Sequence, residues 1–403
     1  MTFDKELELL VRLARKDPTR SRQTEVDLQT IDWEHFIQLA LDHQLTPLIF
    51  AVLEENYLDL VPPELVSAFE FYVESVRDQN RRLLTALVEI GRAMERVGIE
   101  IMPFKGPLLG GLAYGDTTLR ISRDLDILLP EERLKQAMDV LFSLGYRLPN
   151  GTTAIEYDAI RRYGGQYIIY GGDPELAVEP HWALTPSTVS YELNYGAIWD
   201  RSISKLTHGI TVQSPSPEDY FLILCIHGAK EHWPSLKSVV DLAYYIDEHP
   251  DANWRLSTEL AADQGCLRVV RTGLELIAHC GLIDLPEVLK HQIGVDRTAF
   301  WLAKKAMTRF SEETIVAPNI YALSYYQYRQ RERIQDRLRY ILRTLTTPLA
   351  KHYVWVRLPS SLIWLYPGVK VIHDYLALPL WLLHKRMRRI FRATLINSGN
   401  RIP

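Results

Sequence analysis

The sequence predicts an α+β protein: a small mixed β-sheet core from about residue 96 to 213, with helical regions before and after it. Three observations carry this. Short apolar runs suited to strands, at 99–104, 124–129 and 175–182, fall in one window and are bounded by Gly and Pro. Outside that window, apolar residues recur at helical spacing on both sides. The sequence has no Walker A loop, no G-x-G-x-x-G, no G-x-S-x-G and no internal repeat, which removes the P-loop, Rossmann and α/β-hydrolase architectures.

In chain order, Phe3, Leu7, Leu10, Leu13 and Ala14 place a helix over 3–16. Asp32 is an expected N-cap for a second helix beginning at Trp33. A third is expected over about 47–57. Pro62-Pro63 opens a long fourth over 63–97, with Leu65, Phe69, Tyr72, Val76, Leu83, Leu87, Ile90 and Met94 on its apolar face. The histidines His35 and His43 read as surface or packing residues. The core then opens with a strand at 99–104, a helix over 107–114, a turn at Gly115-Asp116, and a strand at 124–129. A helix over 130–144 is closed by Gly145. Strands at 163–170 and 175–182 form a hairpin around Gly171-Gly172-Asp173-Pro174. Residues 191–200 read as loop or short helix, and 203–212 as a further strand or pair. After Pro215-Ser216-Pro217, helices are expected at 217–230, 236–248, 253–264, 266–280 and 296–309, then one strongly helical basic segment at 325–345. The expected division is 1–95 helical, 96–213 core, 214–345 helical and 346–403 a basic, apolar-aromatic tail.

The chemistry concentrates between residues 101 and 129. Strand side chains alternate faces, so Asp124 and Asp126 project together while Leu125, Ile127 and Leu129 point the other way. Adjacent carboxylates repel, and a fold rarely keeps such a pair without a cation between them. All-oxygen ligation suits a hard ion such as Mg2+ shared with phosphates. Upstream, Gly106 ends a strand and Pro107 opens a helix, which places backbone N–H groups where a phosphate can sit, with Lys105 as a point charge beside them. Arg120 and Arg123 flank the carboxylates; they either neutralise the acids or hold a triphosphate, and the residues alone leave both open. Ser122 bonds either a phosphate or the loop backbone.

The string Lys105-Gly106, a short helix, then Arg120-x-Ser122-x-Asp124-x-Asp126 resembles the DNA polymerase β-like nucleotidyltransferase superfamily. Within it, the chain is most similar to a branch of uncharacterised nucleotidyltransferases that carry KG followed by R-x-S-x-D-x-D. The abortive-infection toxin nucleotidyltransferases share that spelling. The resemblance covers roughly residues 85–185. It departs from the superfamily at the turn, where Gly-Ser is usual and this chain has Lys105-Gly106.

The resemblance implies a third metal carboxylate on a later strand. Glu179 is the candidate, within the E-x-H-W string Glu179-Pro180-His181-Trp182. A strand glutamate between Val178 and Pro180 is otherwise a costly half-buried charge. His181, two residues on, either joins the metal shell or orients Glu179 by a hydrogen bond. The implied activity moves a nucleoside monophosphate from an NTP to an acceptor hydroxyl and releases pyrophosphate. Asp124, Asp126 and Glu179 are expected to hold two Mg2+ ions, and Lys105, Gly106, Arg120, Ser122 and Arg123 the nucleotide phosphates. An appended helical domain would close over the nucleotide, with His227 and Lys230 either facing the cleft or forming a satisfied polar edge of the bundle. The acceptor stays open among a small molecule, a peptide and RNA. Two other readings stay open: a catalytically idle module that binds nucleotide or a partner, and a toxin-type enzyme adding nucleotides to tRNA.

Composition bounds the rest. Of 403 residues, 47% are hydrophobic and 24% charged, as in a soluble globular protein. The three cysteines form no C-x-x-C pair, and HExxH is absent, so neither a disulfide framework nor a zinc site is expected. The first residues carry no secretory h-region, and a cytoplasmic protein is expected. Residues 301–403 hold 18 Lys and Arg against 5 Asp and Glu, a balance of +13; the other 28 and 45 give −17. The tail sets Trp355, Trp364 and Trp381 among leucines, then Lys385, Arg386, Arg388, Arg389 and Arg392. This is the pattern of a peripheral membrane contact or of a basic tail packed on the body.

Overall fold

The computed structural model describes residues 3–16, 27–189, 191, 193–311, 320–378 and 380. Four helices lead in: α1 (Lys5–Leu13), α2 (Trp33–Asp42), α3 (Thr46–Asn56) and α4 (Pro63–Arg96). Asp4 and Asp32 cap the first two by accepting from the N–H groups of Leu7 and His35. The core follows as β1 (Met102–Pro103), α5 (Gly106–Leu109) running on into a π-helical turn at Gly110–Tyr114, β2 (Asp124–Leu128), α6 (Leu134–Ser143), α7 (Ala154–Tyr163), β3 (Ile169–Gly171), β4 (Leu176–His181), α8 (Tyr195–Asp200), β5 (Ile203–Thr207) and β6 (Ile210–Ser214). The second helical part holds α9 (Pro217–Lys230), α10 (Leu236–Asp247), α11 (Trp254–Asp263), α12 (Leu267–Cys280), α13 (Glu287–Lys290), α14 (Arg297–Phe310), α15 (Ile320–Gln330), α16 (Ile334–Thr346), α17 (Ala350–Trp355) and α18 (Tyr366–Ile372).

The α+β expectation holds. The main sheet has order β1-β2-β4-β3, with β2 and β4 parallel and both outer pairs antiparallel. The β5–β6 hairpin continues past β1, where Gln213 N–H donates to Ile101 O across 2.9 Å. Leu125, Ile127 and Leu129 are buried on the face predicted for them, against Leu83, Leu87, Ile90 and Met94 of α4 and Leu134, Met138 and Leu141 of α6. Each such side chain contributes on the order of 1.5–3 kcal/mol by leaving water. A larger apolar cluster joins α1–α4 to α9–α14, so helices from both ends of the chain share one core beside the sheet.

Three local expectations need correction. The strand expected from 163 is the end of α7; only Ile169–Gly171 is strand. Thr153 and Glu156 form a reciprocal capping box that starts this helix, a T-x-x-E signal present in the sequence. The strand expected over 99–104 is reduced to Met102–Pro103. The single helix expected over 325–345 breaks between α15 and α16. There Arg331 turns inward, its guanidinium against the rings of Tyr191 (5.0 Å) and Tyr340 (4.4 Å) and donating to Gln327 Oε1 and Val189 O at 2.7 and 2.8 Å. The five basic tail residues from Lys385 to Arg392 lie outside the described residues.

Candidate active site

Parallel pairing of β2 with β4 sets Asp126 directly opposite Glu179 and Leu128 opposite His181. Asp124, Asp126, Glu179 and His181 therefore share one sheet face, by the two-residue alternation of each strand. Asp126 is fully buried. Its Oδ1 takes Lys105 Nζ at 2.9 Å and His181 Nε2 at 3.0 Å. His181 Nε2 also lies 3.5 Å from Glu179 Oε2, to which the Gln166 side-chain amide donates as well. The His181 ring packs edge-on against Phe104, 5.0 Å between centroids.

The electrostatics follow from this crowding. Burial alone would raise the Asp126 pKa, but Lys105 and His181 outweigh it and hold the carboxyl far below its usual range. Burial opposes the Lys105 charge, yet Asp126, Asp124 and Glu179 together keep its pKa above the ordinary lysine value. The pKa of Asp124 is raised by burial and by the neighbouring Asp126.

The turn before the site is built as the sequence suggests. Gly106 adopts φ +61°, a conformation that side-chain-bearing residues rarely take, and Lys105 precedes the helix as its N-cap. Arg120 is buried and forms a two-pronged ion pair with Asp241 of α10, at 2.9 and 3.0 Å. It also reaches Gly106 O at 3.3 Å and Ser122 Oγ at 3.4 Å, so it braces the turn from behind. Tyr114 adds a third bond to Asp241, at 2.8 Å. The Asn80 amide holds the loop between, donating to Thr117 O and Arg120 O.

These residues line a cavity of about 300 Å³ between the sheet and the second helical part. Lys105, Gly106, Arg120, Ser122, Arg123, Asp124, Asp126, Glu179 and His227 all border it, so the predicted residues meet in one place, with His181 directly behind Asp126 and Glu179. His227 and Lys230 face it, and His227 is held neutral, its pKa driven well below normal by burial and by Lys105. His232, grouped with them in sequence, turns away and bonds Gln327. Sequence reasoning did not single out Gln166, Gln44 or Lys237 for this cavity. Lys237 stands out: burial and Arg120 bring its pKa down to about 7.

The donor set fits a divalent cation. Asp126, Glu179 and His181 each offer a ligand atom, all within 4.8 Å of one another, a set that includes two of the three carboxylates expected from sequence but not Asp124, which borders the same cavity. Asp126 Oδ2 is buried and has no hydrogen-bond partner among the described residues, although Oδ1 has two. A buried carboxylate oxygen left unmatched is costly unless something absent from the protein meets it.

The model of the uncharacterised nucleotidyltransferase family matches residues 29–281, spanning α2–α4, the sheet and α9–α12. The chain belongs to that family. As a nucleotidyltransferase it takes a nucleotide substrate. One similar solved structure is that of the antibiotic-resistance factor ANT(2'')-Ia, at 16% identity and a TM-score of 0.32, covering 46% of this chain and 91% of that one. No curated protein matches.

Proposed function

We propose that this nucleotidyltransferase moves a nucleoside monophosphate from an NTP to an acceptor hydroxyl, with Mg2+ held by Asp124, Asp126 and Glu179. The unmatched Asp126 Oδ2, buried on a face crowded with carboxylates, is the observation that supports the reading most. Two bound ions would neutralise the phosphates and lower the acceptor hydroxyl's pKa.

The chain's own groups divide the remaining work. Lys105 and the Gly106 backbone take the β- and γ-phosphates, with the buried Ser122 beside them and the exposed Arg123 at the rim. Arg120, its charge matched by Asp241, fixes the Gly106 turn. Lys237, with its pKa near 7, gains a full charge when a polyanion arrives, which strengthens binding in the occupied state. His181 holds Asp126 and Glu179 in register. In the reaction the acceptor oxygen bonds the α-phosphorus and the bond from that phosphorus to the bridging oxygen breaks. Pyrophosphate leaves with the electron pair, and the hydroxyl proton passes to water at the cavity mouth.

Incubation with each α-labelled NTP and Mg2+, with total RNA and then with a small-molecule or protein extract, tests this. Label should enter an acceptor in the wild type and not in Asp124→Asn or Asp126→Asn. Full transfer by a double variant would overturn the assignment.

We further propose peripheral membrane contact through the C-terminal part. Beyond Leu345, the side chains of Leu349, Val354, Trp355, Trp364, Ile372 and Leu376 are all exposed. Exposed apolar rows beside arginines suit an anionic lipid surface. No helix among the described residues is long and apolar enough to cross a membrane. Flotation with anionic liposomes should carry full-length protein but not a chain ending at Leu345; absence of any flotation at low salt would refute the contact.

A further inference from the structure

The candidate site does not end at its own cavity. Gln166 and Lys230, which border it, also border a second cavity of about 420 Å³. That cavity shares Thr152, Ile160, Gly164 and Pro186 with a third of about 450 Å³ between α7 and the segment leading into α17. The three are linked in series by these shared residues into a trough that meets the carboxylates at Gln166, whose amide bonds Glu179.

The lining changes character along it. Around the carboxylates it is ionic. Beyond Gln166 it is apolar and aromatic, with Leu148, Ile168 and Tyr167 and then Ile160, Tyr163 and Tyr353. Among the described residues Lys230, at the junction, is the one basic residue lining these two cavities, and Glu156 the one acid; Glu156 is already engaged by the Thr153 backbone and hydroxyl at 2.8 Å each. Ile160 and Ile168 are 36% and 41% exposed, so two apolar side chains meet solvent along this path. The Tyr353 hydroxyl is buried without a hydrogen-bond partner among the described residues.

We infer that the trough is the acceptor site, and that the acceptor is a small uncharged molecule with an apolar or aromatic body and a hydroxyl delivered past Gln166 to the α-phosphate. This rests on the nucleotidyl-transfer reading above. A polycationic acceptor would need acids along the walls beyond Gln166, and an RNA backbone a row of Lys and Arg there; among the described residues neither lines the two apolar cavities. Cavities of this size and polarity suit small-molecule ligands.

The test compares acceptors and readouts. Wild-type protein with Mg2+ and α-labelled ATP, CTP, GTP and UTP is offered three acceptors in parallel: neutral aromatic alcohols, a polycationic aminosugar and a short single-stranded RNA. Equilibrium dialysis measures binding of each labelled NTP separately. Transfer to an aromatic alcohol is expected, with its KM raised at least tenfold in Ile160→Lys and in Ile168→Lys while NTP binding stays unchanged. Both positions are solvent-facing enough to accept a lysine without unfolding, which circular dichroism checks. Failure of every NTP to bind the wild type removes the shared reading, and this inference with it. Intact NTP binding overturns the acceptor assignment alone if transfer goes only to the aminosugar or RNA, if no aromatic alcohol is labelled, or if KM is unmoved in both variants.

Discussion

Two buried ionic clusters share one cavity wall. In the first, Arg120 meets both oxygens of Asp241, Tyr114 takes a further bond to Oδ1, and the remaining guanidinium nitrogen reaches Gly106 O and Ser122 Oγ. Its carboxylate and guanidinium are satisfied within the protein. In the second, Lys105 and His181 converge on a single oxygen of Asp126 while the other oxygen has no partner among the described residues, and Asp124 and Glu179 add negative charge beside it. A closed cluster fixes geometry; an open one, with more acids than the protein's own cations match, keeps a place for something else. The first ties α10 to the Gly106 turn, and the second faces the cavity.

The contrast can be broken by mutation. Asp124→Asn removes charge from the open cluster at the carboxylate whose ionised form burial and the neighbouring Asp126 already disfavour. Transfer should fall about a thousandfold, while the thermal unfolding midpoint stays close to wild type. A large drop in that midpoint would mean the cluster is structural. Asp241→Ala does the opposite by leaving the Arg120 guanidinium buried and unpaired. It should destabilise the protein by about 3–5 kcal/mol in denaturant titration. A loss under 1 kcal/mol would show that the closed cluster does not anchor α10.

A third closed site extends the comparison to the helical part. His43 is buried, bonding Phe310 O at 3.1 Å and accepting from Leu236 N–H at 3.2 Å. Burial lowers its pKa from 6.5 to about 4. The unfolded chain therefore binds a proton here before the folded one does. The stability is full above pH 6.5 and is lost as pH falls through 6.5 towards 4, by at most about 3 kcal/mol. Denaturation midpoints at pH 7 and pH 4.5 should differ less in His43→Gln than in the wild type. The smallest effect belongs to Arg123, exposed at the cavity rim. Arg123→Ala should raise the KM for NTP a few-fold and change stability by no more than about 0.5 kcal/mol.

The open cluster was more legible in sequence than the closed one, for a physical reason. Strand alternation alone puts Asp124 with Asp126 and Glu179 with His181, and a Gly after Lys105 marks the turn. Those relations span a few residues each. The Arg120–Asp241 pair spans 121 residues and two structural layers, and no local periodicity announces it. The same holds for Gln166, which reaches Glu179 from a stretch expected to be strand interior and lying instead between α7 and β3. For α7 the signal was present, since Thr153 and Glu156 have capping-box spacing, but the aromatic run after Tyr163 reads as strand and hides it. The parallel pairing that sets Glu179 against Asp126 is tertiary, and only the resemblance to a known family pointed to it beforehand.

The central claim is that the open cluster holds divalent cations together with nucleotide. Electron paramagnetic resonance titration of Mn2+, in place of Mg2+, into protein with bound non-hydrolysable NTP analogue reads this without requiring an acceptor. The expected result is uptake of two Mn2+ ions per chain in the wild type, and loss of that uptake in folded Asp126→Asn. Equal uptake by wild type and variant, or none by the wild type, would contradict it.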